Sequence, residues 1–129
     1  MKKPYIIEFK KIGNLEIGNL IAVEETKEIP FTIKRSFWTY NIPNGITRGH
    51  HAHYVTEQVL ICMRGRIVIE IIDRNNEKMY FELNEPNYGL YLPPDAWHTM
   101  TYYEDAIQLV LASEFYDEND YIRDINNFK

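Results

Sequence analysis

The chain holds 129 residues, with 14 Lys and Arg against 19 Asp and Glu, a formal charge of -5, and 45% hydrophobic and 14% aromatic residues. That length accommodates one core and no separate regulatory module, and this much apolar surface offsets the ordering entropy, which excludes a disordered chain. The acidic balance excludes a general nucleic-acid binder, whose affinity comes from a surplus of Lys and Arg, while leaving room for one small anion at a local basic patch.

The N-terminus, Met1-Lys2-Lys3-Pro4-Tyr5-Ile6-Ile7-Glu8, has basic residues but no apolar core of a secretory signal behind them. No stretch approaches the ~18 apolar residues of a membrane span. From there the apolar pattern has a period near two, the signature of a sheet. Runs rich in β-branched and aromatic residues predict strands at about Tyr5 to Phe9, Leu15 to Val23, Phe31 to Tyr40, His50 to Leu60, Arg66 to Asp73, Lys78 to Leu83, Gly89 to Leu92, Trp97 to Tyr103 and Ala106 to Ser113. Between them stand turn residues: Pro43-Asn44-Gly45, Arg64-Gly65, Asp73 to Asn76, Asn84 to Asn87 and Pro93-Pro94-Asp95. Short strands at intervals of about ten residues indicate an antiparallel barrel or jelly roll. Only the tail, Asp117 to Asp124, reads as a short helix, with acidic residues at its start. The single cysteine, Cys62, lies in the apolar run Val59 to Met63 and reads as a small buried hydrophobe, consistent with a reducing, cytoplasmic setting.

Three of the four histidines stand in Arg48-Gly49-His50-His51-Ala52-His53, and the fourth is His98. On a strand, residues two apart share a face, so His51 and His53 form an imidazole pair and His50 points the other way. The spacing of Gly45, His51, His53, Gln58 and Gly65 resembles the first motif of the cupin superfamily. Pro93-Pro94-Asp95-Ala96-Trp97-His98 resembles its second motif, with Asp95 where that pattern usually has Gly. The resemblance implies an all-β, cupin-type double-stranded β-helix, or jelly roll, formed by one domain over residues 1–129 with a short helical tail.

Two chemistries fit these histidines. His51, His53 and His98 with a carboxylate would suit iron, manganese or zinc. Here the carboxylate position holds Gln58, or Glu57 if one residue fewer intervenes, and a neutral amide compensates a divalent charge less well. Alternatively, neutral imidazoles take a proton from carbon beside a carbonyl and return it elsewhere, with Arg48 to steady an anionic partner.

Across nearly its whole length the chain also resembles the dTDP-4-keto-6-deoxyglucose 3,4-ketoisomerases, WxcM-like cupins that work without a metal. The match rests on Arg48 to His53, Gln58-Val59-Leu60, Gly65, Gly89-Leu90-Tyr91, Trp97-His98 and the C-terminal run Leu111 to Arg123, which generic cupins lack. It implies a dTDP-sugar substrate, no cofactor, His51 as the C3 base and His53 as proton shuttle. Arg48, Tyr40, Trp38, Gln58, Tyr91 and His98 are the substrate-binding candidates, Arg48 for the diphosphate or sugar oxygens and Trp38 for stacking on thymine. Phe37 and Trp38 depart from the family's pattern, which has tyrosines near this stretch. The resemblance further implies a homodimer in which strands before about Val23 cross between subunits, and a product passed to an aminotransferase for surface-glycan sugars. Two other readings stay open: a metal-dependent cupin, dioxygenase or epimerase-like, and a non-catalytic nucleotide-sugar-binding cupin.

Overall fold

A computed structural model describes residues 2–129. The chain forms β1 (Tyr5–Glu8), β2 (Ile12–Asn14), β3 (Gly18–Leu20), β4 (Arg35–Thr39), β5 (Thr47–His53), β6 (Gln58–Ile72), β7 (Lys78–Leu83), β8 (Tyr88–Leu92), β9 (Trp97–Ala112) and β10 (Tyr121–Ile122), and a four-residue helix α1 (Ile125–Phe128) closes it. All ladders between these strands are antiparallel. The predicted all-β jelly roll with a helical tail is the fold observed.

Two long strands organise the barrel. β6 and β9 pair along their whole length, from Gln58 opposite Ala112 to Ile72 opposite Trp97, with register shifts around Arg64. The sequence reading places a turn at Arg64-Gly65 and a break between Tyr103 and Ala106. The structure instead bends both strands without interrupting them. Glu104 and Asp105 take positive φ, and Gly65, at φ +84°, lies so close to β9 that a Cβ would come within 2.7 Å of the Ala106 Cα. Beyond the bend, the first half of β6 pairs β8 and the second half pairs β7. Likewise β5 joins the first half of β9, and β4 the second. The inner faces enclose a core of Leu60, Cys62, Ile67, Ile69, Ile71, Leu90, Leu92, Met100, Tyr102 and Val110, so Cys62 is the buried hydrophobe its neighbours suggested.

Other boundaries also move. The run from His50 to Leu60 breaks at Tyr54 to Glu57, because this loop turns its backbone to the C-terminal segment: the Tyr54 amide donates to the Asp120 carbonyl at 3.0 Å. The Leu15 to Val23 run contains a turn, not one strand, since Asn14 Oδ1 accepts from the Glu16 and Ile17 amides and folds β2 and β3 into a hairpin of their own. The predicted strand from Phe31 begins only at Arg35. Asp95 has φ +57°, which accounts for the glycine usual at that point of the motif; a short polar side chain tolerates this conformation. No helix among the described residues is long and apolar enough to cross a membrane.

Candidate active site

The alternation expected for β5 brings His51 and His53 onto the barrel's inner face, ring centroids 5.2 Å apart. His98 lies opposite His51 in the β5–β9 ladder, with the two rings at 4.7 Å. These are the residues the sequence singled out, and the fold brings all three together. His50 falls at a bulge, where the register shifts between Gly49 and His51 and φ is positive at both Gly49 and His50. The bulge has a second effect. Strict alternation would put Arg48 on the face away from His51, yet Arg48 pairs with Met100 and His51 with His98, two residues apart on β9, so the bulge gives Arg48 the parity of His51 while its side chain stays exposed at the barrel's end.

Tyr121 on β10 pairs with His53, and its ring lies 4.4 Å from that imidazole and 5.1 Å from His51. Just before it, buried Asp120 accepts from His53 Nδ1 at 3.1 Å, from the Val55 amide at 2.8 Å and from the Thr56 hydroxyl. Burial alone would raise the Asp120 pKa, but the three donors outweigh it and hold the carboxyl below its ordinary value. Sequence reasoning assigned this segment to a helix start; an acidic cluster carries no sign of which carboxylate turns inward.

The protonation states follow. Burial pushes His98 down to about 3 and His51 to about 4, each further lowered by the neighbouring imidazoles, and burial lowers His53 as well, against the pull of Asp120. All three are neutral at pH 7. His51 Nδ1 faces the Gly49 carbonyl at 3.1 Å and His98 Nδ1 the Ala96 carbonyl at 3.0 Å. Carbonyls and an ionised carboxylate only accept, so each Nδ1 carries the proton and each Nε2 is a bare lone pair. His53 Nε2 is buried with no partner. Neutral His98 therefore faces the site as an acceptor.

His51 and His98 border a cavity of about 90 Å³ lined also by Phe37, Gln58, Leu60, Met100, Gln108, Val110 and Tyr121. Gln58 lies where it was expected. Tyr91 does not: it pairs with Val59, the neighbour of Gln58, and so faces the other side of the sheet, where it donates to Glu57 at 2.5 Å and stacks on Tyr5. Trp38 and Tyr40 are also placed differently, since β4 turns Arg35, Phe37 and Thr39 inward and leaves Trp38 exposed. With Arg48 they border a shallow depression away from the histidines. The carboxylate needed for a three-histidine metal set is not in place, because Glu57 is held by Tyr91 and Lys2 on the far face. No group of three or more His, Cys, Asp or Glu among the described residues is arranged to hold a metal ion.

The charges of Arg35 and Arg123 depress His53, and that of Arg123 acts on His51 too. Arg35 lies against the rings of Phe37 and Tyr116, and its Nε is buried without a partner. Arg123 covers Tyr121 and is paired with Glu118.

The family model described as FdtA, WxcM-like, C-terminal, matches residues 2–129. The chain belongs to the FdtA family. Among its FdtA-family relatives, TDP-4-oxo-6-deoxy-alpha-D-glucose-3,4-oxoisomerase of Aneurinibacillus thermoaerophilus is 44% identical over 96% of this chain and 88% of its own length. The sugar 3,4-ketoisomerase QdtA of Thermoanaerobacterium thermosaccharolyticum, solved with TDP, superposes with a TM-score of 0.92 at 40% identity, covering 97% of this chain and 90% of QdtA. WlaRB of Campylobacter jejuni, a TDP-quinovose 3,4-ketoisomerase, gives 0.92 at 39% identity over 99% and 98% of the two chains. QdtA has also been solved as a histidine-to-asparagine variant in complex with TDP-4-keto-6-deoxyglucose.

The neutral histidines make this FdtA-family fold acid-sensitive. Between about pH 6.5 and the depressed folded pKa values, the unfolded chain binds protons that the folded one does not, so stability rises with pH and is lost on acidification. For His98 the loss between pH 6.5 and 4 is on the order of 3 kcal/mol. Urea midpoints should fall steeply over this window, and a His98→Gln variant should show a shallower slope.

Proposed function

We propose that this protein is a nucleotide-sugar 3,4-ketoisomerase that converts dTDP-4-keto-6-deoxyglucose to the 3-keto isomer. The observation that carries the reading is His51: a neutral imidazole with a bare Nε2, bordering a cavity and flanked by a second imidazole held by a carboxylate. His51 takes the proton from C3. The C3–H electrons form the C3=C4 bond, and the carbonyl oxygen at C4 takes up the charge of an enediolate. The C3 hydroxyl passes its proton to the C4 oxygen, which becomes a hydroxyl, while the C3 oxygen becomes the new carbonyl and carbon C4 receives the proton taken from C3. His53, 5.2 Å away and outside the cavity wall, relays the proton while Asp120 fixes its tautomer. Arg35 and Arg123, with Arg48 further along β5, supply the positive charge that a diphosphate requires on a chain of net charge -5. Conversion of the 4-keto sugar, followed by NMR and by trapping of the product with an aminotransferase, tests the reading.

The enzyme acts as a homodimer in the cytoplasm, on the route to surface-glycan amino sugars. Support for the dimer comes from the β2–β3 hairpin, which carries Ile12, Leu15, Ile17 and Leu20 on the surface, with Leu15 99% exposed. Beside it an apolar groove of about 460 Å³ runs along Phe9, Ile21, Val23, Ile61 and Leu109. Four exposed aliphatic side chains on one short hairpin are costly in water and are covered by a second copy. Sedimentation should give a dimer for the wild type and a monomer for a Leu15→Asp, Ile17→Asp variant; a monomeric wild type at micromolar concentration would refute the pairing.

A further inference from the structure

None of the three imidazoles grouped at the site offers a donor. His51, His53 and His98 each commit their one N–H to a carbonyl or carboxylate, and what remains on each ring is a lone pair. A site of three acceptors can remove a proton from carbon. The imidazoles themselves offer nothing to the oxygen that becomes negative as the proton leaves, although stabilising that charge with an oriented donor in a dry site is commonly the larger part of such catalysis.

The cavity wall also holds a buried polar group that none of the roles above uses. Gln108 is 1% exposed, on β9, and lines the cavity together with Gln58 and Met100. It pairs with Cys62 on β6 and Thr39 on β4, at a position where an aliphatic residue would fill the barrel as Val110 does two residues on. Burying an amide there is unfavourable unless its groups are engaged. Its oxygen is: the Tyr102 phenol, itself buried, reaches across the interior and donates to Gln108 Oε1 at 2.6 Å. That bond fixes the amide plane. Gln108 Nε2 donates to Met100 Sδ at 3.1 Å, and a thioether accepts only weakly, so a strong N–H donor at the cavity wall is held by a weak acceptor that a substrate oxygen could replace. Gln58 also borders the cavity, but no hydrogen bond fixes its amide in a comparable way.

We infer that Gln108 is a catalytic residue that donates through Nε2 to the sugar oxygen on which negative charge develops, and that Tyr102 is the positioning residue that holds its amide in place. The inference rests on the site assignment made above, with His51 as the base. A neutral donor suits this role, because it stabilises the enediolate without protonating it and leaves the imidazoles uncharged and able to act as bases.

The test compares Gln108→Met, which keeps the volume and removes the donor, Gln108→Asn, which keeps the amide, and Tyr102→Phe, which frees it. For each, kcat and KM with dTDP-4-keto-6-deoxyglucose, TDP affinity by calorimetry and the thermal midpoint are measured beside His51→Asn. Gln108→Met should lose on the order of 100- to 1,000-fold in kcat, with TDP affinity held within about threefold. Gln108→Asn should recover part of that loss, and Tyr102→Phe should reduce kcat by about tenfold with KM little changed. A Gln108→Met enzyme with kcat within about threefold of wild type overturns the inference. So does a loss of kcat matched by equal losses in TDP affinity and thermal midpoint across both Gln108 variants, since that pattern marks a packing role. If His51→Asn itself retains turnover, the site assignment fails; if His51→Asn is inactive while Gln108→Met is active, only the role of Gln108 falls.

Discussion

A His51→Asn enzyme turns over the 4-keto sugar at least about 1,000-fold more slowly than the wild type, while its affinity for TDP changes by less than about threefold. The size of the loss follows from the position of this side chain. His51 is the imidazole that borders the cavity, whereas His53 lies behind the wall, 3% exposed and anchored to Asp120. Asparagine occupies a similar volume and still donates to the Gly49 carbonyl, so the binding surface persists. What disappears is the basic nitrogen, and no other group takes its place. His98 is as neutral, but its pKa is pushed down further, to about 3, by complete burial and by His51, which makes it the weaker base. Steady-state kinetics beside calorimetric titration with TDP separates the two effects. Retention of most of kcat would remove His51 from the role of base.

The second large effect is expected at Asp120, more than sixty residues from its partner in sequence. Asp120→Asn should lower kcat by a factor on the order of 10² to 10⁴ and leave the fold intact. The ionised carboxylate accepts from His53 Nδ1 and thereby reserves His53 Nε2 as an acceptor. A neutral amide no longer enforces that choice, because its NH₂ group can donate to Nδ1 and move the ring proton to Nε2, where it blocks proton transfer. Nitrogen chemical shifts of the His53 ring report the tautomer directly. Asp120→Ala should behave differently: it also strips an acceptor from the Val55 amide and the Thr56 hydroxyl, and should cost about 3 kcal/mol of stability in denaturant unfolding. A kcat for Asp120→Asn equal to that of the wild type would show that His53 keeps its tautomer without the carboxylate, and the relay assigned to it would fall.

The imidazole site was legible because its residues are close in sequence. His51 and His53 are separated by one residue on a strand whose alternation is plain, and the spacing to Gln58 and His98 follows motifs of the fold. The carboxylate that completes the site was not legible, since β10 is only two residues long and pairs with β5 across most of the chain. Nothing local distinguishes Asp120 from Asp117 or Glu118. Parity also misled in two places. Trp38 and Tyr40 drew attention as large aromatic side chains, yet their parity on β4 is that of the exposed face, and Phe37, which departs from the family's tyrosines, is the one that enters the cavity. Arg48 shares the parity of His51, although its side chain stays exposed, through a bulge with positive φ at Gly49 and His50, a backbone feature that side-chain alternation does not contain. In the same way Gly65 read as a turn, because its conformational freedom is the same whether the chain reverses there or two long strands bend across each other.

The net charge of -5 acquires a specific meaning in this fold. In the reading proposed above, affinity for a diphosphate sugar rests on a few placed cations such as Arg35 and Arg123, which lie beside the aromatic rings of Phe37, Tyr116 and Tyr121, and not on a broad basic surface. The measurement that tests the central claim most directly is a proton NMR time course of the purified protein with dTDP-4-keto-6-deoxyglucose. The account predicts loss of the C3 proton signal of the substrate and growth of the 3-keto isomer, at a rate that His51→Asn abolishes. Saturable binding of TDP with no isomer formed over the same period would contradict it.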